Sequence, residues 1–230
     1  MRPHRLAVAA GLAGALCALG AAATPAAAGK HRSARAGDDA AAERSCLAAL
    51  DERGVAYVRA SRKGIDLGVE IQGPLGGLTF RAYDDQPLVI DCSLAVSLAE
   101  AGPYFTALGL TEAIFSSAYS RRNVRGTNKP SKHSFGLAID VHRMVGADLG
   151  TLDVALDYEQ GLGDAVDCLG QPLTAGGAVL KTLQCQLVRS GLFYLVLSPD
   201  YDDAHHNHFH LEARRWVDRD AVRADEPAIH

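Results

Sequence analysis

The chain has 230 residues, of which 48% are hydrophobic and 22% are charged, and its formal net charge is -4 at pH 7. These proportions are typical of a soluble globular protein. The acidic balance gives no overall attraction to nucleic acid or to an anionic membrane surface, so we expect neither as a partner.

The first 28 residues have the features of a secretory signal. A short basic start is followed by an apolar run from Leu6 to Ala23 and by the small residues Ala26 to Ala28, which offer a cleavage site. A permanent membrane anchor is the alternative, but this run is only about 18 residues long and is rich in Ala and Gly. We therefore expect an exported protein, periplasmic or secreted, with no stable membrane insertion after cleavage.

Cleavage would leave four cysteines, Cys46, Cys92, Cys168 and Cys185. An even number in an exported chain fits two disulfides, for which three pairings are possible, and four buried free thiols are the alternative. We prefer Cys46 with Cys92 and Cys168 with Cys185, because each pair brackets a plausible helix or strand neighbour. No cysteine lies in a C-x-x-C motif, which argues against a thiolate zinc finger and against thioredoxin-type chemistry.

The first half of the mature chain alternates short elements with turns. Residues 29–43 are small and charged and are interpreted as a flexible linker. A helix is predicted over 46–53 with Ser45 as its N-cap, then a strand over 55–58, and then Gly-rich turns over 64–79. Asp91 is predicted to cap a helix over 93–100, which Gly102-Pro103 interrupts before it resumes at 104–108.

The second half is richer in strands. Strands are predicted over 112–119, 137–144, 193–197 and 208–213, and an amphipathic helix over 178–190 ends at Gly191. Alternation in the second of these strands puts Asp140 and His142 on one face. Short connections allow antiparallel pairing, which predicts an α+β fold in which a small antiparallel sheet is flanked by helices. We assign residues 44–220 to this domain and 221–230 to a tail.

Two polar clusters lie in the second half of the chain. The first is Ser131 to Asp140, with His133 and Asp140 seven residues apart around Gly136, and the second is His205-His206-Asn207-His208-Phe209-His210. Imidazoles and a carboxylate are ligands that Zn²⁺ prefers, and a catalytic zinc needs three protein ligands and one open position. His208 and His210 lie on one face of a strand, about 6.6 Å apart, so we expect one to bind the ion and the other to act beside it.

These residues resemble a known family. The patterns S-x-H-x-x-G-x-A-x-D and H-x-H are similar to those of the LAS metallopeptidases (lysostaphin-type, D-Ala-D-Ala-type and hedgehog-type domains). A closer resemblance is to the bacterial extensin-like C-terminal family, over residues 44–213. It rests on Cys46-Leu47-Ala48-Ala49-Leu50, on Tyr119-Ser120-x-Arg122-Asn123, and on Leu197-Ser198-Pro199-Asp200-Tyr201 with the histidine cluster.

The resemblance implies a role for each of six residues. His133, Asp140 and His210 would be the ligands of one Zn²⁺, with His208 as the alternative to His210. Among the histidines beside them, His208 would be a general base or an electrostatic stabiliser, and His205 would be a further active-site histidine. Arg122 would contact the substrate.

The expected function is hydrolysis of amide bonds in peptidoglycan peptide stems or cross-links by a zinc-bound water, with the protein acting as a monomer. The alternative is a zinc-containing module that binds wall peptides without cutting them. Two positions depart from the family pattern, because Lys132 and Arg121 stand where Glu and Cys are usual. The stretch 148–173 matches no part of it.

Overall fold

The structure, a computed structural model, describes residues 28–162 and 168–219. The chain divides into two compact units, residues 1–37 and 38–230, and the described part of the first unit is helical. The predicted signal at 1–28 and the tail at 221–230 lie outside the described residues, apart from residue 28. The fold is α+β, as predicted: two small sheets, largely antiparallel, are combined with several helices.

The described residues form five helices, one of them a 3₁₀ helix, and nine strands. The helices are α1 (Ala28–Glu52), α2 (Cys92–Ala107), a 3₁₀ helix (Lys132–Phe135), α3 (Val154–Asp157) and α4 (Ala175–Ser190). The strands are β1 (Tyr57–Arg59), β2 (Gly68–Ile71), β3 (Thr79–Ala82), β4 (Val89–Asp91), β5 (Leu110–Ser117), β6 (Ala138–Gly146), β7 (Gly150–Asp153), β8 (Leu195–Leu197) and β9 (Phe209–Glu212). None of the described helices is both long and apolar enough to cross a membrane.

The first helix begins well before the predicted position. α1 includes residues 29–43, which the sequence analysis interpreted as a linker, so Ser45 lies inside the helix and not at its N-cap. The hydroxyl of Ser45 instead donates to the carbonyl of Ala42 at 2.9 Å. Alanine is the strongest helix former, and the run of alanines at 40–42 continues the helix toward residue 46. The predicted end is close to the observed one, since Gly54 follows with φ of 64°.

A three-stranded antiparallel sheet, in the order β1-β2-β4, lies between α1 and α2 in the chain. A disulfide between Cys46 and Cys92 joins α1 to the first residue of α2, and both cysteines are fully buried. The second disulfide joins Cys168 to Cys185 of α4. The preferred pairing is therefore confirmed.

α2 is one continuous helix, so the predicted interruption at Gly102-Pro103 is wrong. Its N-cap is Asp91, as predicted, whose carboxylate accepts the backbone N–H of Ser93 at 2.9 Å. Gly102 packs against the backbone of residues 75–76, where an added Cβ would lie 2.5 Å from the Leu75 carbonyl oxygen. This tertiary packing holds the buried helix together despite the hydrogen bond that a proline removes.

The second sheet has six strands and carries the polar clusters. Its order is β3-β5-β6-β9-β8, with β7 also paired to β6, and every pair is antiparallel except the parallel pair β3–β5. The predicted strands correspond to β1, β5, β6, β8 and β9. The sequence analysis missed β2, β3, β4 and β7, and β2 falls within the stretch 64–79 that was predicted as Gly-rich turns. In strands of three or four residues an alternating pattern is a weak signal, so some of them, such as β1 and β8, are found and others are not.

α4 packs into the same core as this sheet. The helix is capped by Thr174 and ends, as predicted, at Gly191 in the left-handed region with φ of 66°. Its buried face includes Leu180, Leu183 and Leu187, which belong to the same hydrophobic core as Ile139 and Phe209 of the sheet. The site described next is held by β6 and β9, the central strands of this packed layer.

Candidate metal centre

Asp140 and His210 are direct partners in the antiparallel pair β6–β9. Directly opposed residues on one face of such a pair have Cβ atoms about 5 Å apart, close enough for their side chains to meet. Oδ1 of Asp140 lies 2.7 Å from Nδ1 of His210. The sheet register alone therefore brings together two residues that are 70 positions apart in the sequence.

The 3₁₀ helix brings His133 to the same point. Ser131 caps it by accepting the backbone N–H of His133, and Gly136 ends it in the left-handed region with φ of 65°. A Cβ on Gly136 would lie 2.8 Å from the backbone nitrogen of Asp91, which donates to the Gly136 carbonyl at 2.9 Å. The turn predicted at this glycine is confirmed, and only glycine fits both its conformation and its close contact.

Three atoms that could serve as metal ligands converge at the centre of the site. Nε2 of His133 lies 3.2 Å from Oδ1 of Asp140 and 3.3 Å from Nδ1 of His210. All three side chains are buried. Three such atoms in mutual contact need a proton or a metal ion between them, and this group could hold a metal ion.

His208 lies immediately beside these three residues. It comes just before β9, and its Nε2 is 3.5 Å from Oδ1 of Asp140. Its ring packs against that of His142 with centroids 5.0 Å apart, because Val141 and Phe209 are antiparallel partners and His142 follows the first while His208 precedes the second. His208 is thus closer to the centre than its place on an ideal strand suggests.

His205 completes a second group of possible ligands with His208 and His210. Its ring centroid is 5.1 Å from that of His208 and 5.6 Å from that of His210. Nδ1 of His205 donates to Oδ1 of Asp202 at 2.6 Å, which leaves Nε2 available on the other side of the ring. His142 is turned to another partner, with its Nε2 2.8 Å from the hydroxyl of Ser116.

Oxygen acceptors also fix the orientation of His208 and His210. Nε2 of His210 lies 3.2 Å from Oε1 of Glu212, and Nδ1 of His208 lies 2.9 Å from Oδ1 of Asn207. An N–H that points at such an oxygen leaves the opposite nitrogen free to bind a metal or to accept a proton. The opposite nitrogens are Nδ1 of His210 and Nε2 of His208, and both face Asp140.

Arg122 reaches the centre from the loop between β5 and the 3₁₀ helix. Its Nη2 donates to Oδ2 of Asp140 at 3.2 Å, on the oxygen that His210 does not contact. The side chain is about half exposed, at 51%, so part of the guanidinium remains accessible. The backbone of Arg122 is held by Ser131, whose N–H donates to the Arg122 carbonyl at 2.9 Å.

The charges at the centre follow from burial and from these contacts. Burial raises the pKa of Asp140, but hydrogen bonds from His133 and His210 outweigh it and hold the pKa well below its usual value. Burial lowers the pKa of His210, but contacts with Asp140 and Glu212 outweigh it and raise the pKa to about 9. Burial also lowers the pKa of His133, and it lowers the pKa of His208 to about 4.

At pH 7 the metal-free centre therefore holds a proton on His210, while His133 and His208 are neutral. Both N–H groups of the His210 imidazolium have carboxylate acceptors, Asp140 on one side and Glu212 on the other. The proton on Nδ1 occupies the position that faces the other two donors. A cation bound there would replace this proton, so the donor set fits a metal ion.

A model of the family described as extensin-like protein C-terminus matches residues 44–222. The chain belongs to this family. The match covers His133, Asp140, His210 and every side chain that touches them in the described residues. Neither a search of curated proteins nor a search of solved structures finds a match to the chain.

The structure of this extensin-like chain brings all six predicted site residues together: His133, Asp140, His205, His208, His210 and Arg122. The sequence analysis missed the acceptors that orient the histidines. Glu212 had a usable signal, because it lies two residues after His210 and so on the same face of the strand. Asn207 and Asp202 had none, since their contacts depend on the turn that precedes β9.

Proposed function

We propose that this extensin-like protein is an exported, zinc-dependent peptidase that hydrolyses amide bonds in the peptide stems or cross-links of peptidoglycan. The observation that carries the proposal is the buried meeting of Nε2 of His133, Oδ1 of Asp140 and Nδ1 of His210, with neutral His208 beside them. Two imidazoles and one carboxylate form a set of three protein ligands of the kind found in catalytic zinc sites. The same set supports a relationship to the LAS metallopeptidases.

A zinc ion held by these three side chains would supply a Lewis acid and lower the pKa of water in its open position. Glu212 orients His210 so that its Nδ1 faces Asp140 and would be available to hold the ion. The low pKa of the Asp140 carboxyl keeps it ionised, which offsets part of the charge of a divalent cation.

His208 is suited to proton transfer. Its lowered pKa leaves it neutral at pH 7, and its Nδ1–H is committed to Asn207, so Nε2 can accept a proton from an attacking water. The same nitrogen can then return the proton to the leaving amine. His205, oriented by Asp202, lies where it can stabilise negative charge that develops on the substrate carbonyl.

The half-exposed guanidinium of Arg122 supports a role for this residue in substrate binding. One of its nitrogens is held by Asp140, and the exposed remainder of the guanidinium can donate to a carbonyl or carboxylate of a peptide. The two disulfides fit an oxidising compartment, which is the basis for an extracytoplasmic substrate.

The direct test is digestion of purified peptidoglycan sacculi by zinc-loaded protein at pH 5–9, with the released fragments identified by mass spectrometry. We expect peptides from the wild type and none from His133→Ala. His206→Ala is the matched control, because His206 lies in the same segment but is exposed, and its ring contacts the Asp203 carbonyl instead of the centre. Failure of the zinc-loaded wild type to release any peptide would refute the enzymatic proposal.

One observation favours the alternative of a binding module. Nε2 of His208 is close enough to Asp140 to become a fourth ligand and close the site, as in structural zinc sites. Metal analysis of His208→Ala separates the two cases. If the variant keeps its zinc but loses hydrolysis, His208 acts in catalysis, whereas loss of zinc together with an inactive wild type supports the binding module.

A further inference from the structure

A cleft borders the metal centre on the side of β5. Its volume is about 560 Å³, which is within the range of small-ligand sites. Three residues that line it also touch the centre or its neighbours: Ser117 lies 3.4 Å from Nδ1 of His133, Ser116 contacts His142, and Arg122 contacts Asp140. A ligand in this cleft would therefore lie against the side chains of the centre.

Two further charged residues line the cleft, Arg62 and Asp84. The Arg62 guanidinium donates to the neighbouring Ser61 carbonyl, and within the described ranges 28–162 and 168–219 it forms no ion pair. The Asp84 carboxylate accepts the N–H of Gln86 and likewise has no cationic partner among the described residues. Opposite charges thus share one cleft without neutralising each other.

The rest of the lining suits a peptide. Phe115, Val89 and Pro87 provide apolar surface, while the hydroxyl groups of Ser120 and Tyr119 provide polar contacts. The Tyr119 hydroxyl is already held, since it donates to the Lys63 carbonyl at 2.8 Å and so ties the segment that carries Arg62 to the wall of the cleft. This contact holds the backbone next to Arg62 in place.

We infer that the cleft is the substrate-recognition site and that it selects a peptide segment carrying both a carboxylate and an ammonium group. Arg62 binds the carboxylate and Asp84 binds the ammonium, as charge-assisted hydrogen bonds require. This inference rests on the proposed peptidase function, because it places the reacting amide at the adjacent metal centre. Arg122 differs from Arg62 in that Asp140 already holds part of its guanidinium.

Three synthetic peptides separate the two contacts. They are acetyl-Ala-Lys-Ala with a free carboxyl group, the same peptide as its C-terminal amide, and the free acid with an acetylated lysine. Each is titrated calorimetrically into zinc-loaded protein, and mass spectrometry after the titration checks that the peptide is intact. For the wild type we expect the free-acid lysyl peptide to bind about tenfold more tightly than either modified peptide.

The variants assign each contact to a residue. Arg62→Gln should bind the free acid and the amide equally, and Asp84→Asn should bind the lysyl and acetyl-lysyl peptides equally. Arg125→Gln and Asp85→Asn are the matched controls, because both residues are exposed and neither lines the cleft. Each control should keep the wild-type preferences.

The outcomes also separate this inference from the proposed function. Equal binding of all three peptides by the wild type, no binding of any of them, or preferences unchanged in Arg62→Gln and Asp84→Asn would each overturn the assignment of the cleft. If sacculi are still hydrolysed in that case, the peptidase function stands without it. If the preferences behave as expected but sacculi are not hydrolysed, the cleft is a recognition site and the peptidase function fails.

Discussion

His210 lies between two carboxylates, with its Nδ1 2.7 Å from Asp140 and its Nε2 3.2 Å from Glu212. The first contact comes from the β6–β9 register, and the second from alternation along β9. Together they place the imidazole between a group that can share a metal ion with it and a group that fixes its orientation.

Metal binding at pH 7 should release about one proton per ion, because the pKa of His210 is raised to about 9 in the metal-free chain and Nδ1 must lose its proton to coordinate. Above pH 9 the released amount should fall, since His210 is then already neutral. Calorimetric titration with zinc in two buffers of different ionisation enthalpy measures the proton count. A count near zero at pH 7 would contradict a protonated His210.

Glu212→Gln should weaken zinc binding by about 10- to 100-fold, the usual cost of removing an oriented second-shell partner. The amide can still accept the Nε2–H of His210, but it brings no negative charge to increase the basicity of the ring. Competition with a fluorescent chelator measures the dissociation constant. Glu70→Gln, in the three-stranded sheet, is the control and should bind zinc as the wild type does.

Asn207→Ala should reduce kcat by about 10- to 100-fold while leaving the zinc content unchanged, because His208 loses the acceptor that holds its Nδ1–H. Asn207→Asp keeps an oxygen acceptor and should recover much of the rate. The assay is peptide release from sacculi, with zinc measured in the same samples. Equal rates for Asn207→Ala and the wild type would show that the contact does not position His208.

The two disulfides should differ in their effect on stability. Replacing Cys46 and Cys92 by serine should lower the free energy of unfolding by about 4 kcal/mol, and the corresponding change at Cys168 and Cys185 by about 3 kcal/mol, as the chain-entropy relation gives for the two loop lengths. The sequence separations are 46 and 17 residues. Urea unfolding of each double variant, with zinc removed, measures the difference. The reverse order would mean that local packing outweighs loop length.

The long strands and the capped helices could be predicted because their signals are local. Alternation indicated β6, Asp91 marked the start of α2, and Gly191 marked the end of α4. The short strands β2, β3, β4 and β7 were not found, because a few residues carry little local signal and the strands they pair with are set by the fold. The start of α1 was misjudged because charged residues at 29–43 were given more weight than the alanines beside them.

At the site, the candidate ligands could be named before their arrangement was known. Spacing and residue type indicated His133 and Asp140, and the turn at Gly136 was expected from the glycine itself. The distance of His208 from the centre could not be predicted, because it depends on where β9 begins. Arg62 and Asp84 had no signal in the sequence, since exposed charged residues in loops are common and only the shape of the cleft relates them.

Side-chain type and near neighbours in the sequence establish which chemical groups are available and many of the strands, turns and helix caps, because these depend on residues only a few positions away. Which oxygen orients each histidine, the raised pKa of His210, and the cleft with unpaired charges beside the centre all follow from the fold. These properties depend on burial and on contacts between residues far apart in the sequence, such as His133 and His210, which are 77 positions apart.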